Sequence, residues 1–399
     1  FDPVERPLDQ IVEEIDTAVR ESVQAHTIAD VKVGSFLSSG VDSSYVASVL
    51  RPDKTFTVGF SAENFSEIDN AAALSKEFGI ENVNEVLDPK ECFNDFNKIQ
   101  YMMDEPHSNP SIVPLYFLSR LARQHVTVVL SGEGADELFG GYDEYTDTPN
   151  MKKYKNLPAP AKAVADLVAK IAPSSKLGGL VKRAKMPVEE SFIGQARIFE
   201  ETESTSILKP AYNNAPSVKD IVTPYYERFK GKDDVTKKQL LDMNLWIVDD
   251  ILLKADKMSM AHSIELRVPL LDLEMMKVAS SIPTRFRVND EMTKFAFRKA
   301  AAKALPSAWA NRKKLGFPVP IRHWLRDEEY VSKVKEAFTS DSANEFFEQS
   351  KILALLEDHV SGKANNQRKI WTIYSFLVWY NEYFVNYNTE ANAGCAEQA

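Results

Sequence analysis

The sequence predicts an α/β protein in which an open parallel sheet, with helices on both faces, is extended by a mostly helical carboxyl-terminal region. Two observations support this class. In residues 1–145, short apolar segments alternate with segments of helical periodicity, which is typical of a parallel sheet crossed by helices. After Tyr145 the strand-like segments stop, and the later periodic segments are helical. We therefore expect a parallel sheet at 1–145, a helical extension at 146–385 and a disordered tail at 386–399.

The first half contains alternating predicted helices and strands. The segment from Leu8 to Ala25 predicts the first helix, because its apolar residues recur at intervals of three and four. The predicted strands are Val31–Leu37, Thr55–Phe60, Val83–Leu87 and Val126–Leu130. The helices predicted between them are 43–50, 67–78, 89–103 and 111–124. The last of these strands is short and apolar, which is typical of a strand buried on both faces.

The carboxyl-terminal region shows helical patterns, at 235–263, 292–305, 329–339, 343–358 and 366–386. Before them, residues 151–185 hold nine Lys or Arg residues and one acid, Asp166. We interpret this basic segment as a solvated helical excursion, because it lacks the aromatic platforms that single-stranded nucleic acids stack on.

Composition excludes several classes of protein. The 399 residues are 44% hydrophobic and 27% charged, as in ordinary globular proteins, and the formal net charge of −10 disfavours nucleic acid as a partner. No apolar run approaches the ~20 residues that cross a bilayer, and no signal peptide opens the chain. Cys92 and Cys395 are too few for a disulfide framework, so a reducing, cytoplasmic location is expected. The six histidines show no metal-ligand spacing.

The first candidate functional loop follows a predicted strand and opens a helix, with the sequence Leu37-Ser38-Ser39-Gly40-Val41-Asp42-Ser43-Ser44. Unpaired N–H groups and the helix dipole make such a position favourable for phosphate. Asp42 would repel a polyphosphate unless a cation lies between them, so it implies Mg²⁺. The loop lacks the GK[ST] ending of a Walker A motif. The alternative is a serine-rich helix cap without a ligand.

The second candidate loop is Ser131-Gly132-Glu133-Gly134-Ala135-Asp136-Glu137, followed by LFGGY. It also follows an apolar strand and opens a helix. Because ligands of open α/β sheets bind beyond the carboxyl ends of the strands, we expect both loops to face one crevice. Three acids within five residues would be costly at a buried helix start unless a metal, a cation or a substrate balances them.

Charged residues of the helical region are more ambiguous. Arg267 precedes Val268-Pro269, so the backbone must be extended there, and Glu265 and Arg267 could simply form an ion pair. Lys294 lies in a helical pattern in which most lysines are solvated. The basic stretch 312–318 could meet phosphate, but surface solvation is the preferred explanation. His107 is interpreted as structural.

Four segments together resemble the asparagine synthetase branch of the N-type ATP pyrophosphatases. SSGVDSS resembles the SGGxDS pyrophosphate loop, and SGEGADELFGGY resembles the second loop of that branch. DKMSMAHSIELRVPLLD and RKKLGFPVPIRHWL follow in the family's order. The resemblance implies a Rossmann-like sheet of the adenine nucleotide alpha hydrolase type. It also implies ATP-dependent conversion of aspartate to asparagine through β-aspartyl-AMP, with release of AMP and pyrophosphate.

The resemblance further implies roles for individual residues. Glu133 corresponds to a position needed to form or aminolyse the acyl-adenylate, and Lys294 to a lysine that stabilises charge in the adenylation transition state. Asp42 and Asp136 would hold Mg²⁺. Residues implied to bind ATP or pyrophosphate are Leu37, Ser38, Ser39, Gly40, Val41, Asp42, Ser43, Ser44, Val58, Ser131 and Gly132. Residues implied to recognise the amino acid are Asp136, Glu137, Glu265 and Arg267.

The sequence departs from the family pattern in two places. Ser39 stands where the loop usually has a glycine, so its side chain could crowd the phosphate or donate a hydroxyl. Family members usually carry an amino-terminal glutaminase domain that begins with a catalytic cysteine, whereas this chain begins at Phe1. We therefore expect that the chain lacks this glutamine amidotransferase domain. It would use free ammonia, or ammonia from a glutaminase domain or subunit, and a homodimer is compatible with this scheme.

Other functions remain open at this point. The same chemistry on another carboxylate would make an amide-, lactam- or peptide-cyclising synthetase. A non-catalytic nucleotide-binding module is a second alternative, which Ser39 alone favours. A tRNA-modifying pyrophosphatase is disfavoured by the acidic charge and by the SGEGADE loop.

Overall fold

A computed structural model of the chain describes residues 1–61, 67–173, 175–312 and 319–386. Most of the basic stretch at 312–318 therefore lies outside the described residues, as does the tail from 387 onward with Cys395. Asn386, where the tail was expected to begin, is the last residue of a helix. Within the described residues, no helix is both long enough and apolar enough to span a bilayer.

One parallel sheet of five strands lies within the described residues. Its strands are β1 (Val33–Phe36), β2 (Lys54–Phe60), β3 (Glu81–Leu87), β4 (Val128–Leu130) and β5 (Glu265–Arg267). They are ordered β3-β2-β1-β4-β5, and all neighbouring pairs are parallel. The first four confirm the predicted strands, although the ends differ slightly. The predicted α/β class with a parallel sheet is thus confirmed.

The fifth strand comes from the region predicted to be mostly helical. It pairs with β4, with Arg267 opposite Leu130 and Glu265 opposite Val128. The extended backbone expected before Val268-Pro269 is therefore present, but it forms a strand of the sheet. Three residues carry too little periodicity to be recognised as a strand, and the neighbouring strand β4 supplies the hydrogen bonds that define it.

The helices of the first half cross between the strands. The predicted helix from Leu8 to Ala25 is confirmed with the same bounds, whereas the helix predicted at 89–103 is divided at Asp95. The α-helices of this half are Leu8–Ala25, Val41–Leu50, Ile68–Phe78, Pro89–Asn94, Phe96–Met102, Ile112–Arg123 and Ala135–Phe139.

Beyond Tyr145 the described chain is mostly helical. The helix predicted at 235–263 is interrupted by a π-helix at Ile247–Leu252, and a second π-helix at Asn381–Asn386 extends the last α-helix. The α-helices here are Pro149–Lys155, Ala159–Ile171, Lys176–Lys185, Val188–Ser191, Glu201–Ile207, Val218–Arg228, Asp234–Asn244, Leu253–Met260, Leu273–Ser280, Thr284–Arg287, Phe295–Ala301, Ser307–Ala310, Ile321–Trp324, Glu328–Phe338, Asp341–Phe346, Gln349–Val360 and Gln367–Tyr380.

Two apolar cores cover the two faces of the sheet. Val129 belongs to the core that includes the helices Ile112–Arg123 and Gln367–Tyr380, whereas Leu130 belongs to the core built on Leu8–Ala25 and Phe295–Ala301. Successive residues of a strand point to opposite faces, so this division places helices on both sides of the sheet. The helical extension therefore builds part of each face and holds Lys294 close to the strand ends.

Candidate active site

The candidate site lies at the carboxyl ends of β1 and β4. The chain proceeds from β1 outward through β2 to β3 and then returns to β4 on the other side of β1. Open parallel sheets bind ligands in the crevice at such a reversal of strand order. A cavity of about 360 Å³ occupies this position, and both predicted loops contribute to its wall.

The two loops pack backbone against backbone. A β-carbon at Gly132 would lie 2.4 Å from the amide nitrogen of Ser43 and 2.7 Å from the carbonyl carbon of Asp42. A side chain at this position would force the loops apart, so glycine is needed for their close approach. The loops face one crevice, as the sequence predicted.

The first loop presents a helix start to the cavity. Ser38, Gly40, Asp42 and Ser43 line the wall, and the hydroxyl oxygens of Ser38 and Ser43 lie 2.9 Å apart. The helix Val41–Leu50 begins after Gly40, and no side chain of the described residues caps it. The alternative interpretation, in which the serines of this loop cap the helix, is therefore wrong. Uncapped amides at a helix start favour an anion.

Three loop residues point away from the cavity wall. Val41 joins the apolar core and Ser44 is fully buried. The Ser39 hydroxyl donates a 2.6 Å hydrogen bond to Oε1 of Glu67. Burial raises the pKa of Glu67, against the opposing effects of Ser39 and Arg312. Ser39 thus contacts a buried carboxyl that itself lines the cavity and that the sequence did not single out.

A lysine from the helical extension neutralises the acids of both loops. Nζ of Lys294 lies 2.6 Å from Oδ2 of Asp42 and 2.8 Å from Oδ1 of Asp136, and its side chain is 2% exposed. Burial lowers the pKa of Lys294, but the two carboxylates outweigh that effect and the pKa is raised overall. The ammonium lies behind Asp42 and Asp136, which line the cavity. It supplies the balancing cation that the acidic loop required.

The Lys294 contact depends on tight backbone geometry. A β-carbon at Gly141 would lie 1.9 Å from Oδ1 of Asp136 and 2.1 Å from Cε of Lys294. Lys294 itself has a positive φ of 56°, and its N–H donates to the carbonyl of Gly140. Non-glycine residues are uncommon in this conformation and are enriched at functional sites. The Gly-Gly pair after the second loop is explained by this close approach.

Glu133 and Glu137 occupy different positions in the second loop. Glu133 accepts a 3.1 Å hydrogen bond from the Ser131 hydroxyl. Burial raises its pKa, although Lys254 and Ser131 oppose the shift. Glu137 is 1% exposed and accepts a 2.6 Å hydrogen bond from the Tyr142 hydroxyl. Both carboxyls line the cavity, but Glu133 is the more accessible of the two.

Part of the cavity wall is apolar. Leu37 and Val58, both expected to contact adenosine, line it together with Phe36, Leu115 and Leu118. Ser131 and Gly132 lie in the same cavity wall. Ligand cavities commonly combine such an apolar surface with a few fixed polar groups.

Glu265 and Arg267 are not brought to the cavity. Arg267 pairs with Glu265 at 2.7 Å and donates to the carbonyl of His26, also at 2.7 Å. Neither residue lines the cavity wall. Both residues lie on the edge strand β5. They form the ion pair that was the simpler of the two interpretations of the sequence.

The structure adds residues that the sequence did not select. Asn109 and Ser111, from the loop before the helix Ile112–Arg123, line the cavity together with Lys254. Asn109 Nδ2 donates a 2.6 Å hydrogen bond to Oδ1 of Asp250, which also lies 3.1 Å from Nζ of Lys254. His107 Nε2 lies 3.6 Å from the other oxygen of Asp250. The spacing Asp250-x₃-Lys254 was the one sequence feature that could have pointed to Lys254. Acid–lysine pairs four residues apart are common on ordinary helix surfaces, so the spacing did not distinguish it.

The donor set fits a hydrated divalent cation better than a preformed metal cage. Among residues 1–61, 67–173, 175–312 and 319–386, no cluster of three or more His, Cys, Asp or Glu side chains forms a metal site. Asp42 and Asp136 nevertheless converge on one point, occupied by the Lys294 ammonium. Mg²⁺ is usually held by one or two carboxylates together with water and substrate phosphates.

Comparison with known proteins agrees with these motifs. A family model described as asparagine synthase matches residues 14–381. The chain is 43% identical to asparagine synthetase (glutamine-hydrolyzing) 1 of Bacillus subtilis, over 96% of this chain and 61% of that protein. It is 38% identical to a Mycobacterium bovis protein named "Putative asparagine synthetase (glutamine-hydrolyzing)", over 95% of this chain and 59% of that protein. The chain thus spans about three fifths of the length of these curated relatives.

Proposed function

The chain belongs to the asparagine synthase family, and on this premise we propose that it is the synthetase unit of an AMP-forming carbon–nitrogen ligase that converts aspartate to asparagine. The observation that carries the proposal is the Asp42–Lys294–Asp136 cluster between two glycine-containing loops at the reversal of strand order. A cavity with one apolar wall and one helix start matches a nucleotide with its phosphates.

The reaction has two steps. In the first, the β-carboxylate of aspartate attacks the α-phosphorus of ATP, and the bond to the leaving pyrophosphate breaks. In the second, ammonia attacks the acyl carbon of β-aspartyl-AMP, the acyl–oxygen bond breaks, and AMP leaves. One proton must be removed from the attacking nitrogen.

Named residues of this chain match these requirements. Leu37, Val58 and the Ser131-Gly132 backbone would hold the adenosine and the α-phosphate, and the amides at Gly40–Ser43 would hold the pyrophosphate. The Lys294 ammonium would stabilise negative charge in the first step; a donor of this kind contributes about a hundredfold in rate. Glu133, whose pKa is raised by burial, would accept the proton in the second step.

Asp42 and Asp136 would hold Mg²⁺ when ATP is bound. The ion would neutralise charge on the pyrophosphate as it leaves. Lys294, which contacts both carboxylates, would then share them with the metal.

The nitrogen donor of this chain is proposed to be ammonia. The relative of Bacillus subtilis named as glutamine-hydrolyzing is matched by this chain over 61% of its length. A glutaminase domain or subunit would supply the ammonia in the full system.

Aspartate-dependent exchange of labelled pyrophosphate into ATP tests the first step directly. We expect exchange with aspartate and Mg²⁺, and its loss in Lys294→Ala. A panel of other carboxylates in the same assay separates aspartate from the substrates of an amide- or lactam-forming relative. Exchange with another carboxylate but not with aspartate would reject the proposed substrate while retaining the chemistry.

A further inference from the structure

The cavity is strongly acidic and contains one lysine in its wall. Among the described residues that line it, Lys254 is the only cationic side chain, whereas the carboxylates are Asp42, Glu67, Glu133, Asp136 and Glu137. The proposed substrates are anions. A cavity with this charge balance needs a dedicated cation wherever a substrate carboxylate is to be held away from the metal and the helix start.

Lys254 is fixed in place by its neighbours. It is 5% exposed, and among the described residues the carboxylate of Asp250, 3.1 Å away, is its hydrogen-bond partner. Asp250 is itself held by Asn109, whose amide oxygen accepts hydrogen bonds from the N–H and the hydroxyl of Ser111. The amine therefore has a fixed position. Of its three protons, one is used in the hydrogen bond to Asp250, and the other two are not bound by Asp250, Asn109 or Ser111.

The local backbone supports a functional interpretation of this position. Lys254 is the second residue of the α-helix Leu253–Met260, which directly follows the π-helix Ile247–Leu252. π-Helical turns inserted in α-helices are rare and occur frequently at functional sites. The inserted turn brings Trp246, Ile251 and Lys254 together to the cavity wall.

Lys254 also lies close enough to Glu133 to lower the pKa of that carboxyl. If Glu133 acts at the acyl carbon, the remainder of the amino acid must lie beside it. Aspartate has a second carboxylate that does not react. Resting on the proposed function, we propose that Lys254 binds the α-carboxylate of the amino acid substrate and thereby orients the β-carboxylate toward ATP.

The test compares aspartate with β-alanine, which has the reacting carboxylate but no α-carboxylate. The Lys254→Met variant should raise the KM for aspartate by about 10- to 100-fold, the loss expected for one charged hydrogen bond. The KM for β-alanine and the KM for ATP should change little. Lys237→Met is the matched control, because Lys237 is also a largely buried lysine paired with a carboxylate, Glu189, and lies outside the cavity.

Each outcome separates this inference from the proposed function. If wild-type protein shows no exchange with aspartate, the proposed function fails and the inference fails with it. An active wild type whose Lys254→Met variant loses aspartate and β-alanine equally, or loses ATP affinity instead, would overturn the inference alone. Calorimetric binding of aspartate beside α,β-methylene-ATP provides a second measurement, and Lys254→Gln a second variant, should Lys254→Met unfold.

Discussion

Nζ of Lys294 lies 2.6 Å from Oδ2 of Asp42, although the two residues are 252 positions apart in the chain. The same ammonium contacts Asp136 of the second loop. One side chain from the helical extension therefore joins both loops of the sheet and balances acids that would otherwise repel each other. The helical extension therefore contributes a buried side chain to the candidate site.

Replacing Lys294 tests this arrangement. Lys294→Ala removes the cation shared by Asp42 and Asp136, and we expect AMP formation to fall at least about a hundredfold. Steady-state release of pyrophosphate measures the effect. Lys277→Ala is the control, because Lys277 forms an exposed pair with Glu274 on a surface helix. Retention of most of the activity in Lys294→Ala would contradict the assigned role.

Replacing Gly132 tests the contact between the loops. In Gly132→Ala the new methyl group would lie 2.4 Å from the Ser43 amide, so the loops must separate. We expect kcat/KM for ATP to fall about a hundredfold, the loss that a shift of about 1 Å in a site can cause. Gly179→Ala should leave it unchanged, since a β-carbon there meets no atom within 4 Å. Equal behaviour of the two variants would show that the loops tolerate separation.

Ser39 is expected to act on stability more than on ATP binding. Ser39→Ala leaves the buried Glu67 carboxyl without the hydroxyl that donates to it, which should cost about 1–3 kcal/mol in the free energy of unfolding. The KM for ATP should change little, because the Ser39 side chain does not line the cavity. Denaturant unfolding and ATP kinetics measure the two effects, with the surface variant Ser332→Ala for comparison. A large rise in KM without loss of stability would assign Ser39 to the phosphate instead.

Asp242 should make stability depend on pH. Its carboxyl is fully buried, accepts a 2.8 Å hydrogen bond from the Tyr145 hydroxyl, and has its pKa raised by burial from 3.8 to about 7. Between these values the folded protein keeps the proton and the unfolded chain releases it. Stability from this group is therefore present below pH 3.8 and is lost as the pH rises through about 7, by up to about 1.4 kcal/mol per unit.

The Asp242→Asn variant isolates this contribution. It keeps the shape and an acceptor for Tyr145 but cannot ionise. The difference in the free energy of unfolding between wild type and variant should change steadily from pH 4 to pH 7, in favour of the variant at higher pH. A constant difference across that range would show that Asp242 does not titrate there.

Much of the site could be predicted from the sequence because its two loops have local signatures. Each follows an apolar strand, contains glycine and hydroxyl residues, and opens a helix. The rule for open parallel sheets then places both at one edge. Helix Leu8–Ala25 was equally predictable, because one apolar face repeats over 18 residues.

Local sequence patterns do not reveal residues whose role depends on distant partners. Lys294, which only the family resemblance singled out, and Lys254, which the sequence did not select, lie in ordinary helical patterns, and only tertiary contacts distinguish them from solvated lysines. Glu67 is defined by its contact with Ser39, 28 positions away. The strand β5 consists of three residues whose hydrogen bonds come from β4. In each case the local sequence carries no signal, because the stabilising contacts are made with residues that are distant in the chain and that the fold brings together.

The central claim is tested most directly by identifying the products made by the purified chain with ATP, Mg²⁺, aspartate and ammonium chloride. Chromatography of the reaction should show asparagine, AMP and pyrophosphate in equal amounts, and no AMP when aspartate is omitted. Formation of ADP and phosphate, or nucleotide cleavage that does not depend on aspartate, would contradict an AMP-forming asparagine synthetase.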